Sequence, residues 1–173
     1  MIDEELYAMV RVGNVRAFDQ LYARYERRLF GFVLRLLNDR ALAEEVFHDV
    51  MMSMLQGGEA SFKEARFRAW LFRVARNACA NRMRSKSRGE GALSRVTLIE
   101  ETTASPEQRL VEEERAFALA SAVRKLPEAL ADVFHLRTSG LSYGEIADVL
   151  EVPLGTVKSR MNALVQQLQG EVS

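Results

Sequence analysis

Apolar and polar positions alternate along this chain with a period of three to four residues, the repeat expected of amphipathic helices. Asp3 to Val12 predicts a short helix stopped near Gly13. A longer one opens at about Asn14, with Phe18, Leu21, Tyr22, Tyr25, Leu29, Phe32 and Leu36 recurring on one side. Asn38-Asp39 ends it and begins a third helix over residues 40–55, which the Gln56-Gly57-Gly58 run breaks. A fourth is expected from about Ala65 to Lys86, with Phe67, Trp70, Leu71, Val74, Ala78 and Cys79 turned inward. Ser87 to Pro106 lacks any period and clusters Gly, Ser, Thr and Glu, so it reads as a linker. Pro106 then opens a helix at its first position with Ser105 as cap, and another opens at Pro127. No strand pattern and no internal repeat is visible, so the expected fold is all-α.

The sharpest local signals lie in Gly140 to Arg160. Ser142 followed three residues later by Glu145 forms a capping box, in which each side chain satisfies a backbone N–H left orphaned at a helix start. Ile146, Val149 and Leu150 supply the apolar stripe of that helix, and Ala147 is small enough for close helix approach. After the Glu151-Val152 break, Pro153 suits the first turn of a second helix that runs to about Gln169. At ~100° per residue, Val157, Met161, Leu164 and Leu168 fall within about 60° of one another and face inward. The outer face carries Ser159, Asn162 and Gln166, flanked by Thr156, Lys158 and Arg160. Short polar groups and cations in this arrangement read base edges and hold phosphates in a major groove, so the pattern is that of a DNA-binding helix-turn-helix.

Composition narrows the class. The chain has 173 residues, 48% of them apolar, with only three prolines and ten glycines, enough apolar material for one or two small helical bodies. No apolar run reaches membrane-spanning length and the first residues are acidic, which predicts neither a membrane segment nor an export signal. The single cysteine, Cys79, cannot form an internal disulfide and fits a buried, reduced thiol in a cytoplasmic protein.

The formal net charge of zero hides a strong segregation: residues 61–90 hold nine basic and two acidic residues, whereas the flanking segments are acidic. Within the fourth helix Arg66, Arg73, Asn77 and Arg84 fall within about 40° on a helical wheel, with Arg76 beside them and Trp70 at the border of the apolar stripe. Arginines bind phosphates, an asparagine can hydrogen-bond a base edge, and an aromatic ring can stack on an unpaired base. Core packing is the competing role for Trp70.

Three blocks carry a family resemblance: AFDQLYARYERRLFGFVLRLL with AEEVFHDVMMSML, then WLFRVARNACANRMR, then LPEALADVFHLRTSGLSYGEIADVLEVPLGTVKSR. The chain resembles the extracytoplasmic-function (group IV) sigma factors of bacterial RNA polymerase over most of its length. The resemblance implies two small helical domains joined by a flexible linker: a sigma-2 domain over residues 1–88, a linker over 89–105 and a sigma-4 domain over 106–173. It implies that Glu44, Glu45, His48 and Asp49 dock on the clamp helices of the polymerase largest subunit. The minus-10 element would be recognised and opened by Arg66, Trp70, Arg73, Arg76, Asn77 and Arg84, with Phe62 and Lys63 in a loop that captures a flipped base. Thr156, Lys158, Ser159, Arg160 and Asn162 would read the minus-35 element. Expected partners are core RNA polymerase, through its clamp helices and flap region, promoter DNA and a cognate anti-sigma factor; no cofactor, metal, catalytic residue or membrane insertion is implied.

Three positions depart from the family pattern. His48 stands where glutamine is frequent, Asn81 where aspartate is frequent, and the tail MNALVQQLQGEVS lacks the further cations that usually follow. Fewer cations neutralise fewer phosphates, which predicts weaker and less salt-dependent minus-35 binding. The acidic linker is expected to lie along basic polymerase surface or the template-strand channel rather than on duplex DNA. Two other classes compete. A polymerase-independent helix-turn-helix regulator would leave the basic fourth helix unexplained. A carboxylate-bridged metalloenzyme could use Glu45-x-x-His48 and Asp132-x-x-His135, but one pair carries aspartate and lies across the linker from the other.

Overall fold

The computed structural model describes residues 1–56, 66–86 and 106–172. These form eight α-helices: α1 (Asp3–Arg11), α2 (Val15–Leu37), α3 (Arg40–Gln56), α4 (Phe67–Lys86), α5 (Pro106–Arg124), α6 (Glu128–Thr138), α7 (Tyr143–Leu150) and α8 (Leu154–Val172). The first four pack on one another, the last four gather around α8, and α4 against α7 and α2 against α6 join the two groups. The predicted linker, and the loop holding Phe62 and Lys63, lie outside the described residues.

Local chemistry sets the boundaries. Gly13, at φ +86°, turns the chain between α1 and α2, and the Asn14 side chain accepts a hydrogen bond from the Ala17 N–H at 3.0 Å to cap α2. Asn38 ends α2 in the left-handed conformation at φ 49°. Asp39 then accepts from the Leu42 N–H at 3.1 Å and meets Lys86 at the far end of α4, also at 3.1 Å. The Leu42 hydrogen bond and then Lys86 hold this carboxyl below the usual range. Pro127 occupies the cap position of α6 rather than its first turn, because its ψ of 144° is extended.

The core of the first group is aromatic where α4 begins. Phe67 is fully buried against Tyr7 and Tyr25, with ring centroids 5.1 and 5.7 Å away, and its N–H donates to Glu4 at 2.9 Å. Glu4 thereby supplies both an acceptor and a negative charge to the start of α4. Tyr25 donates to Asp3, and burial followed by this carboxylate pushes its hydroxyl pKa well above the ordinary value. Deeper along α4, Phe72 stacks edge-on against Phe32 at 5.2 Å, and Ala75 and Cys79 are buried beside it. Phe72 and Ala75 extend the buried surface beyond the expected stripe because α4 packs on α1, α2 and α3 together. Burial raises the Cys79 thiol to about 12, the environment of an inert packing residue.

In the second group Ser142 and Glu145 form both halves of the predicted capping box: the Glu145 N–H donates to Ser142 Oγ at 3.3 Å, and the Ser142 N–H donates to Glu145 Oε2 at 2.8 Å. Glu151 takes the left-handed conformation at φ 55°, and the Val152 N–H closes the turn on the Ala147 carbonyl. The Pro153 carbonyl accepts from Thr156 and Val157, starting α8. Val157 and Leu164 are buried, with Met161 and Leu168 packed beside them, as the period predicted.

Candidate nucleic-acid interface

Three faces carry the polar residues singled out by the sequence, and they differ in what covers them. On α8, Lys158, Ser159 and Asn162 are exposed, while Thr156 and Arg160 are half-buried at the turn. The Ser159 hydroxyl donates back to the Gly155 carbonyl at 3.0 Å. This face is open to a groove-sized partner.

On α3, Glu44, Glu45, His48 and Asp49 are all exposed and share one side, because they recur at one-turn spacing while Ala43, Val46, Phe47 and Val50 point into the core. Arg40 pairs with Glu44 at 3.2 Å, and Arg82 of α4 reaches Glu45 and Asp49 at 3.3 and 3.4 Å. These are solvent-exposed pairs of small net worth, and a partner can replace them. Met52 and Leu55 continue the same face and are 38% and 47% exposed. Their position one and two turns beyond His48 could have been read from the sequence.

The basic face of α4 is ion-paired along its first half, though Arg66, Asn77 and Arg84 stay exposed. Arg66 meets Asp148 at 3.7 Å and Arg73 meets Glu151 at 3.3 Å. Arg68 donates to Glu145 Oε1 at 2.6 Å, and Arg76 donates through Nε and Nη2 to Asp132 Oδ2 at 3.2 and 2.6 Å. Glu145, Asp148 and Glu151 recur every third residue along α7 and its cap, so one side of this helix lays a carboxylate row against α4. The four carboxylates facing these arginines are four of the six that residues 124–173 contain. Asn77 stays exposed, Arg84 bonds Asn81 at 2.6 Å, and Trp70 is half-buried with its ring 5.4 Å from Tyr7 and 5.8 Å from Phe67.

The carboxylates divide by burial. The exposed outer pairs, Arg66–Asp148 and Arg73–Glu151, each contribute at most about 1 kcal/mol. At Glu145 burial opposes ionisation, but the hydrogen bonds from Arg68 and Ser142 prevail and hold its pKa below the ordinary value. A cavity of about 330 Å³ opens beside these contacts, lined by Arg76, Asp132, Leu150, Val152 and Arg160 among others. It brings together two arginines that the sequence assigned to different DNA elements.

The second contact between the groups is a buried polar node. Arg35 of α2 donates to the Ser139 hydroxyl at 2.7 Å, which in turn donates to the His135 carbonyl at 2.7 Å. Arg35 Nε and His135 Nδ1 are buried without a hydrogen-bond partner. Burial and then the Arg35 charge lower the His135 pKa to about 4, so the imidazole is neutral at pH 7. Asp132, one turn away, is engaged by Arg76, and Glu45 and His48 lie on the outer side of α3; among the described residues no cluster of three metal-ligating side chains forms.

Comparison with known proteins matches both groups. Residues 21–89 fit the family model for sigma-70 region 2, and residues 116–168 fit that for sigma-70 region 4. The chain is 28% identical to the RNA polymerase sigma-H factor of Pseudomonas aeruginosa, the match covering 92% of this chain and 88% of that protein. It is 32% identical to the ECF RNA polymerase sigma factor SigM of Mycobacterium tuberculosis, covering 91% of this chain and 78% of that one. CnrH, solved in complex with the cytosolic domain of CnrY, superposes with a TM-score of 0.72 at 25% identity, over 98% of this chain and 96% of CnrH. With both sigma-70 regions present in order, and a match to SigM running through most of each protein, the chain belongs to the ECF RNA polymerase sigma factors of the sigma-70 family.

Proposed function

We propose that this chain binds core RNA polymerase and directs promoter-specific transcription initiation, with a sigma-2 unit over residues 1–88 and a sigma-4 unit over 106–173. The observation that supports it best is the presence of two separate DNA-type faces, on α4 and α8, in one chain that also exposes an acidic and apolar face on α3. A lone helix-turn-helix regulator needs only the first kind of face. In this reading Glu44, Glu45, His48 and Asp49, continued by Met52 and Leu55, dock on the polymerase clamp. Lys158 and Arg160 hold phosphates and Thr156, Ser159 and Asn162 meet base edges of the minus-35 element. Arg66, Arg73, Arg76 and Arg84 hold the backbone of the minus-10 element while Asn77 contacts a base; Trp70, Phe62 and Lys63 support the extruded base.

Opening is then a population shift. Unstacking a base costs a few kcal/mol, and a pocket that binds only the extruded base pulls the duplex toward the open form. The chain supplies recognition, and bond-forming chemistry belongs to the polymerase. A cytoplasmic location follows from that partner, and no helix among the described residues is long and apolar enough to cross a membrane. As CnrH assembles with the cytosolic domain of CnrY, this chain is held in check by an anti-sigma protein. Transcription in vitro with core polymerase tests the reading: initiation at defined start sites that depends on the chain supports it, and DNA binding without initiation supports the regulator.

A further inference from the structure

We infer that α1 is a brace for the minus-10 face: Glu4 and Tyr7 are positioning residues that fix the start of α4 and the ring of Trp70 in the orientation that promoter opening uses. The inference rests on the proposed sigma function and adds to it residues that lie ahead of residue 21, where the match to sigma-70 region 2 opens.

The first observation is that α4 does not cap itself. The Trp70 N–H bonds the Arg66 carbonyl at 3.0 Å, which makes Arg66 the residue that opens the helix. An arginine side chain carries no acceptor for the N–H groups left over at a helix start. Glu4, 63 positions earlier, accepts from the Phe67 N–H at 2.9 Å instead. A helix whose first N–H is held from outside begins where its holder puts it. Arg66, the first cation of the minus-10 face, directly precedes that tethered group.

The second is aromatic packing. Tyr7 stands one turn beyond Glu4 on α1 and is only 1% exposed. Its ring centroid lies 5.1 Å from Phe67 and 5.4 Å from Trp70, tilted by 39° and 45°, and Phe67 and Trp70 are 5.8 Å apart. Trp70 is thus backed by one ring from α4 and one from α1, while part of its own surface stays accessible. A ring already fixed when a base arrives loses less freedom on stacking, so its backing contributes to the open state.

The third is that α1 is anchored independently of α4. Asp3, next to Glu4, accepts from the Tyr25 hydroxyl and pairs with Arg24 at 2.5 Å, both on α2. The brace therefore has a fixed end on α2 and a working end on α4. Glu44, Glu45, His48 and Asp49 lie on the exposed side of α3, so polymerase docking and bracing use separate residues.

The test uses the full chain with core RNA polymerase on a promoter at which the wild-type chain initiates, with 2-aminopurine in its minus-10 element to report opening by fluorescence. The same promoter with a non-complementary, pre-melted minus-10 segment is the second template. Glu4→Ala removes the acceptor and Tyr7→Leu removes the ring. Both should slow opening of the duplex roughly fivefold, the scale of a lost cap or a lost aromatic pair. Both should recover on the pre-melted template, where the base is already extruded, and bind core polymerase as wild type does. Glu4→Gln keeps an acceptor and Tyr7→Phe keeps the ring, so these variants should open the duplex at close to the wild-type rate. Unchanged opening by Glu4→Ala and Tyr7→Leu overturns the brace. A deficit that persists on the pre-melted template, or that extends to polymerase binding, also overturns it, because it marks a general folding defect. If Tyr7→Leu fails to fold, Glu4→Ala against Glu4→Gln decides alone. A wild-type chain that supports no initiation on any template sinks the sigma function and the brace with it, whereas wild-type initiation with unaltered variants sinks the brace alone.

Discussion

Arg68 and Glu145 join the two helical groups through a 2.6 Å hydrogen bond, while the other oxygen of the same carboxylate closes the α7 capping box on Ser142. One side chain thus starts a helix and fastens that helix to its neighbour. Glu145→Ala should lower the unfolding free energy at pH 7 by about 1–2 kcal/mol, the loss of a cap with a charged partner left half-buried. Because the folded-state pKa of Glu145 lies below its ordinary 4.5, the stabilisation is complete above that value and disappears as pH falls through the folded pKa. Urea titrations of both proteins from pH 7 to pH 3 should show the gap closing on the acid side.

His135 should act in a higher window. Its folded pKa of about 4 lies below the ordinary 6.5, so between these values the unfolded chain binds the extra proton and stability falls as pH is lowered. The cost is complete below about 4 and absent above 6.5. His135→Gln should flatten the denaturation midpoint between pH 7 and pH 5 relative to wild type. A parallel decline in the two proteins would place the acid sensitivity elsewhere.

Phe72 is fully buried where α4 meets α2, and Phe72→Ala should cost about 3–5 kcal/mol. A midpoint shift in urea with an unchanged slope would show that the effect is on stability rather than on compactness.

The two DNA faces should fail differently. Asn77→Ala should weaken initiation by about 1–3 kcal/mol at promoters carrying the preferred base and much less at promoters lacking it. Lys158→Ala should weaken binding about equally across sequences and reduce the salt slope by about one. Initiation measured on a panel of single-base promoter variants, and binding at several salt concentrations, separates a base contact from a phosphate contact.

Leu55, exposed beside the acidic face of α3, should matter to polymerase and not to folding. Leu55→Glu should lower core-polymerase affinity at least severalfold while thermal unfolding stays within about 0.5 kcal/mol of wild type, the usual range for a surface substitution. Co-migration of labelled chain with core polymerase on a sizing column is a sufficient readout.

The features legible in the sequence were those fixed by near neighbours. The Ser142–Glu145 box, the Glu151 turn and the buried Val157–Leu164 row depend on spacings of three to seven residues, and the structure has each where the pattern places it. The basic edge of α4 was legible for the same reason. Its pairing with carboxylates was not, because Arg66 and Asp148 stand 82 positions apart and nothing local specifies which carboxylates a basic face will meet. Phe72 was missed on related grounds: a helix packed on several sides at once buries more than one stripe, so its period blurs.

The ion-paired face of α4 has a consequence for how the molecule behaves in a cell full of chromosome. A helix carrying an unshielded arginine row is held by any duplex, and a genome offers about 10⁶–10⁹ such competing sites. With four of those arginines matched by the chain's own carboxylates, the face of α4 should draw bulk DNA less strongly than its basic composition alone would.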